Sequence, residues 1–223
     1  MNLTQDEFRA IRSAVAAFPG DVSNDAVGAH VAKIEDMFAP ETHAVALDPM
    51  IPIVVGSRGS GKSFWSSVLG QEDTLAAAAI AYPKLGLSEL YVRFGYTGVG
   101  GPNGISGEAI DKYVPHDASL DQAKVFWWAT ILSAAAQSGG VTGARPGRLI
   151  TEASDWEVRE DLLIAHEQRL RKEGKSLLVV YDALDTVART WPRRRLLTEA
   201  LLEVVWAMRA FRSIRIKLFL RPD

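Results

Sequence analysis

Two hydrophobic periods alternate along the chain and mark out its elements. Phe8, Ile11, Val15 and Phe18 recur at three- and four-residue spacing, which predicts an amphipathic helix opened by Thr4 and stopped by Pro19-Gly20. Val27, Val31, Ile34 and Phe38 repeat that spacing and predict a second helix over residues 24–38, ended by Pro40. A short strand is expected at 44–47. An apolar, β-branched run at 51–55 predicts a buried strand, and helices are expected over 62–69 and 74–81, separated at Gly70 and closed by Pro83. Residues 90–94 read as a strand and the glycine-rich stretch 96–104 as a surface loop. Residues 121–137, with Phe126, Trp127 and Trp128, predict a buried helix, followed by a loop at 139–147. Ser154 or Asp155 caps a long polar helix ending near 172–174, whose carboxylates and arginines are expected on a solvated face. A buried strand at 176–181 and an amphipathic helix over 192–213 follow, the latter with Leu196, Leu201, Val204, Met208 and Phe211 on its apolar side. A last strand covers 214–220. Strands alternating with helices predict an α/β fold with a mostly parallel sheet covered on both faces. Residues 1–45 form an N-terminal helical extension, and residues 46–223 the core.

Composition narrows this picture without redirecting it. The chain has 223 residues, 48% hydrophobic and 23% charged, ordinary values for a globular protein. A net charge of −2 gives no global field that favours nucleic acid or an anionic membrane. There is no cysteine, which excludes disulfides and thiolate metal sites and fits a reducing cytoplasm. The N-terminus is polar and acidic, unlike a signal peptide. The apolar stretch 125–137 is shorter than the roughly 18–20 residues that span a bilayer, so no membrane span is expected.

Candidate chemistry starts at the turn after the 51–55 strand. Gly56, four variable positions (Ser57, Arg58, Gly59, Ser60), then Gly61-Lys62-Ser63 form the phosphate-binding loop pattern, with a strand before it and a helix after. The glycines let successive backbone N–H groups point inward at phosphate oxygens, and the helix start adds the positive end of its dipole. Lys62 is placed to meet the β- and γ-phosphates, and the Ser63 hydroxyl to ligate Mg²⁺. The partner acid is expected at the end of a buried strand, where Leu177-Leu178-Val179-Val180-Tyr181 delivers Asp182 as the Mg²⁺ carboxylate. Ala183 follows, where many such ATPases carry a glutamate base. Asp185 then has two readings, a base or water-positioner near the γ-phosphate and an N-cap of the next helix.

Val180-Tyr181-Asp182-Ala183-Leu184-Asp185 resembles the second acidic motif of the STAND and KAP ATPases, regulatory P-loop proteins related to the AAA+ class within the ASCE division. Thr186 departs where glutamate is common in the NACHT branch. Leu218-Phe219-Leu220-Arg221-Pro222 resembles the Ser-Arg-Pro end of the fourth core strand in these proteins, with Leu220 replacing the polar residue. The resemblance covers residues 50–223. It implies a P-loop NTPase three-layer sandwich in which the 214–220 strand lies between 51–55 and 176–181. It also implies Arg221 at the sensor-I position facing the γ-phosphate, the alternative for Arg221 being a plain solvated arginine.

The implied function is an ATP- and Mg²⁺-binding switch or motor module with slow hydrolysis to ADP and phosphate. Its activating arginine would come from self-association or from a partner protein. The same resemblance implies a fifth strand and a lid after residue 223, so the chain is expected to be an N-terminal piece of a longer protein. ATP is preferred because no guanine signature is present. Two other classes stay open. A small-molecule or nucleotide kinase would use Arg189, Arg193, Arg194 and Arg195 toward an acceptor, and a nucleic-acid-stimulated ATPase would use them on phosphates; a solvated helix face is the plain reading of that cluster.

Overall fold

Four apolar runs become four strands of one all-parallel sheet: β1 (Ile53–Val55), β2 (Leu90–Tyr96), β3 (Ser176–Tyr181) and β4 (Ile214–Leu220). The computed structural model describes residues 4–16, 32–98 and 105–222. Strand order is β1-β4-β3-β2, so the last strand in sequence lies between the first and the third. Register pairs Ile53 with Leu218, Val179 with Ile216, and Leu90 with Ser176. The helices are α1 (Gln5–Ala16), α2 (Ala44–Leu47), α3 (Lys62–Gly70), α4 (Glu72–Ala81), α5 (Gly107–Tyr113), α6 (Leu120–Ser138), α7 (Ile150–Ser154), α8 (Trp156–Lys172) and α9 (Trp191–Met208).

The side-chain alternation of β3 shows why the sheet is buried on both sides. Leu177, Val179 and Tyr181 face the layer of α6, α8 and α9, while Leu178 and Val180 face α3 and α4, and all five are fully buried. A strand apolar at every position needs a helix layer on each face. The larger core centres on Trp127 of α6, whose indole N–H donates to the Leu197 carbonyl of α9 at 2.8 Å and whose ring meets that of Tyr181 edge-on at 5.6 Å. The Tyr181 hydroxyl shares a hydrogen bond with Thr130, and its ring lies over Gly95. A Cβ at Gly95 would stand 2.2 Å from that ring, and the β2–β3 register shifts at this point.

Several expectations change. Residues 44–47 are helix α2 rather than a strand, because fully buried Leu47 packs with Trp65 and Val68 beneath α3. Within 32–40 the expected helix is reduced to one 3₁₀ turn, Ile34–Asp36, and Phe38 is 78% exposed; residues 24–31 lie outside the described residues, as do 99–104 of the glycine-rich loop. The α8 face is not wholly solvated. Glu167 is buried and accepts from the backbone N–H of Arg212 at 2.9 Å and of Ser213 at 2.9 and 3.0 Å, tying α8 to the turn into β4. Coverage of the sheet is also uneven, since Ile53 and Val55 of β1 are exposed. Among the described residues no helix is long and apolar enough to cross a membrane.

Candidate functional site

The carboxyl ends of β1, β4 and β3 lie side by side, and Gly56–Ser63, Asp182, Asp185 and Arg221 all fall just after them. Pairing of β1 with β4 continues into the loop, where the Gly56 N–H donates to the Leu220 carbonyl at 3.1 Å. Gly59 and Gly61 then take φ values of +80° and +81°, a left-handed backbone that residues with a Cβ adopt only under strain. Ser57, Arg58, Gly59 and Ser60 form the exposed tip, and α3 starts immediately afterwards at Lys62. The Lys62 ammonium turns back into the loop. It donates to the Gly56 carbonyl, to the Ser57 carbonyl at 2.8 Å and to the Ser60 hydroxyl at 3.3 Å. The loop is thus curled around a cation carried by its own helix.

Asp182 is the first residue past β3. Its N–H donates to the Tyr96 carbonyl at 2.8 Å, which keeps β2 and β3 together to the edge. Its side chain is 4% exposed and accepts from the Ala183 N–H at 2.7 Å. Burial pushes the Asp182 carboxyl above the ordinary carboxylate range, and the negative charge of Asp185 adds to that. The Ala183 hydrogen bond, the nearby Ser63 hydroxyl and the positive charge of Lys62 pull the other way. The loop after β1 and the turn after β3, on strands that do not touch in the sheet, therefore lie close enough for the Lys62 charge to act on one carboxylate.

The turn after Asp182 is tight. Ala183 has φ +57°, the sole positive value outside glycine among the described residues. A 3₁₀ turn, Leu184–Thr186, follows, and the Thr186 hydroxyl closes it by donating to the Ala183 carbonyl at 2.8 Å. The same hydroxyl shares a 3.1 Å hydrogen bond with Tyr96. Asp185 does not cap α9, whose N-cap is Thr190. Its carboxylate instead takes the Arg221 guanidinium at 2.7 Å, both side chains being half-buried. Arg221 is therefore a half-buried, ion-paired arginine rather than a plain solvated one.

The arginine cluster disperses. Arg193 is buried and donates to the Asp111 carboxylate at 2.7 Å and the Val114 carbonyl at 2.6 Å, holding α5 against α9. Arg194 donates to the Ala188 carbonyl at 3.2 Å. The residues that sequence reasoning missed line a groove of about 710 Å³ beside the Asp185–Arg221 pair, walled by Trp191, Leu202 and Trp206 of α9 and by Leu220. The signal for it is a second apolar stripe on α9 at positions 191, 202 and 206, offset from the buried stripe of Leu197, Leu201, Val204 and Met208.

No family model matches the chain, and no curated protein or solved structure matches it.

Proposed function

We propose that the chain binds ATP with Mg²⁺ at loop 56–63 and Asp182, and acts as a P-loop ATPase module of STAND or KAP character in which binding matters more than turnover. The observation that carries this reading is the curl of loop 56–63 around the Lys62 ammonium, with Gly59 and Gly61 left-handed, at the same sheet edge as buried Asp182. The Ser63 hydroxyl at the start of α3 and the buried Asp182 carboxylate at the end of β3 are hard oxygen donors suited to one small divalent cation. Such an ion, when bound, would neutralise charge developing on the phosphates. The chain's own residues do the rest. Gly59 and Gly61 keep the loop open enough for backbone N–H groups to face phosphate oxygens. The Lys62 ammonium, now on the loop's own carbonyls, exchanges those acceptors for β- and γ-phosphate oxygens.

Strand order supports the switch reading over the kinase one, because β4 lies between β1 and β3 where simple nucleotide kinases put those two strands side by side. Burial of Arg193 removes one acceptor-binding candidate from both the kinase and the nucleic-acid alternatives. Slow hydrolysis follows from two residues. Ala183 has no group to act as base, and the Asp185 carboxylate is engaged by Arg221. An arginine supplied in trans can raise such rates by ~10³–10⁵.

Calorimetry with Mg–ATP tests the site. Lys62→Ala is expected to remove most of the affinity, and Asp182→Asn to weaken binding only when Mg²⁺ is present. Parent-like affinity in Lys62→Ala would sink the assignment. Turnover at or above the ~1–100 s⁻¹ of kinases, by dilute protein with no partner added, would sink the slow-switch reading.

A further inference from the structure

A second cavity, of about 760 Å³, lies at the β2 edge of the sheet, opposite the β1 edge that carries the glycine-rich loop. Its volume is that of a small-molecule site. Helices α5 and α6 and the segment 143–148 enclose it, and their contacts with one another fix its walls. The Ala144 carbonyl accepts from the Ser133 hydroxyl at 2.9 Å and from the Gln137 amide at 2.7 Å, which pins the segment to α6. Gly147 lies so close to the Tyr113 hydroxyl that a Cβ there would collide with it, which brings the same segment against α5. On the sheet side Thr130 lines the cavity and shares a hydrogen bond with Tyr181 of β3. Walls held in this way lose little freedom when a ligand enters.

The lining divides into an apolar interior and a cationic rim. Ile105, Ala109 and Phe126 supply apolar surface, and the Tyr113 ring stands nearly parallel to that of Phe126 at 6.5 Å. Lys112, Arg145 and Arg148 are exposed at the rim. Glu108 is the one carboxylate beside them, and none of the three cations forms an ion pair among the described residues. Arg193, on the other side of α5, is by contrast already paired with Asp111. Flat rings bury well against aromatic and aliphatic walls, and guanidinium groups without a carboxylate of their own take planar anions in bidentate fashion. An inorganic anion would leave the interior unfilled, and a neutral ring would leave the rim unused.

We propose that this cavity is a binding site for small aromatic carboxylates, with the ring between α5 and α6 and the carboxylate on Arg145 and Arg148. The site is separate from loop 56–63 and does not rest on the nucleotide reading.

Calorimetric titration of the full chain with cinnamate tests the proposal, with cinnamyl alcohol as its neutral counterpart. The parent is expected to bind cinnamate saturably at a single site and the alcohol about tenfold more weakly. Joint replacement Arg145→Gln and Arg148→Gln is expected to weaken cinnamate about tenfold and to change the alcohol by less than about twofold. Both side chains are exposed, so the fold does not depend on them. Ala109→Trp fills the interior and is expected to abolish binding of both compounds. Arg195→Gln, in the α9 groove, is expected to change neither.

No saturable binding of cinnamate by the parent overturns the proposal. Equal affinity for acid and alcohol, or cinnamate binding undiminished in the double arginine variant, removes the rim and overturns it too. Binding that survives Ala109→Trp in a chain with parent-like circular dichroism, or that is lost in Arg195→Gln, places the compound elsewhere and has the same consequence. None of these titrations contains nucleotide, so the two sites stand or fall separately.

Discussion

The two sides of the sheet are built to different standards. Around β3 the strand is six residues long, buried over five of them and locked to the α6 layer by Tyr181, Thr130 and Trp127. Around β1 the strand is three residues long, pairs on one edge, and leaves Val55 59% exposed. Asp182 grows out of the first region and the glycine-rich loop out of the second. A fixed carboxylate thus stands near a loop on a lightly supported strand, close enough to feel the charge of Lys62. Rigid positioning of one partner and compliance of the other is what the proposed nucleotide site would need to accommodate and release a large anion.

The sharpest break between the regions is a matched pair of truncations. Trp127→Ala removes a fully buried indole and its hydrogen bond to Leu197, and is expected to cost about 3–5 kcal/mol by denaturant titration. Val55→Ala, on the exposed strand, is expected to cost about 0.5 kcal/mol or less. Similar losses at the two sites would refute the contrast.

Lys217 tests the support under β1. It is fully buried on β4, and its ammonium donates to the Ile51 carbonyl at 2.9 Å. Desolvation lowers its pKa to about 8, against a smaller upward pull from Asp48. The folded pKa lies below the unfolded value, so the unfolded chain holds the extra proton between pH 8 and about 10.4, and stability must rise with pH across that window. The penalty is fully present below pH 8 and amounts to roughly 3 kcal/mol. Parent minus Lys217→Met stability, measured by urea titration from pH 7 to pH 10, should climb by that order; a flat difference would remove the buried charge from the account.

Gly95→Ala probes the well-packed side from the opposite direction. A Cβ there meets the Tyr181 ring, so the variant is expected to lose about 1–3 kcal/mol and the Trp127–Tyr181 contact, visible as a change in near-ultraviolet circular dichroism. The smallest expected effect lies between the regions. Ala183→Gly relieves a left-handed residue and should stabilise the chain by about 0.5–1 kcal/mol in thermal melts, with the unfolded-state entropy of glycine opposing part of the gain.

What is legible in the sequence follows the same division. The β3 strand and Asp182 can be read because five consecutive apolar residues ending in one acid suit a strand buried on both faces that opens at a sheet edge. The loop can be read because glycines at fixed spacing have a steric reason. Residues 44–47 cannot, since Ala-Val-Ala-Leu alternates like a strand and also makes one helical turn, and only the packing of Leu47 decides. Glu167 looks like any carboxylate on a charged helix because its backbone partners, Arg212 and Ser213, lie 45 and 46 positions away. The Asp185–Arg221 pair is hidden for the same reason. Each residue is a candidate on its own, while their contact depends on β4 entering the sheet next to β3.

That entry of β4 also orders the birth of the molecule. The strand carrying the loop is the first to be synthesised, yet its neighbour in the sheet is the last, and the Lys217–Ile51 bond closes a span of 166 positions. Contacts of such sequence separation form late, after closer ones have lowered the entropy of the chain. During synthesis β2 and β3 can pair with α6 laid across them while residues 51–63 still have no sheet to join. The loop acquires its anchor, the Leu220 carbonyl, only when residues 214–220 have left the ribosome and docked. Competence at this edge is therefore a timestamp: a chain able to hold its glycine-rich loop in place has already completed the earlier steps of its own assembly.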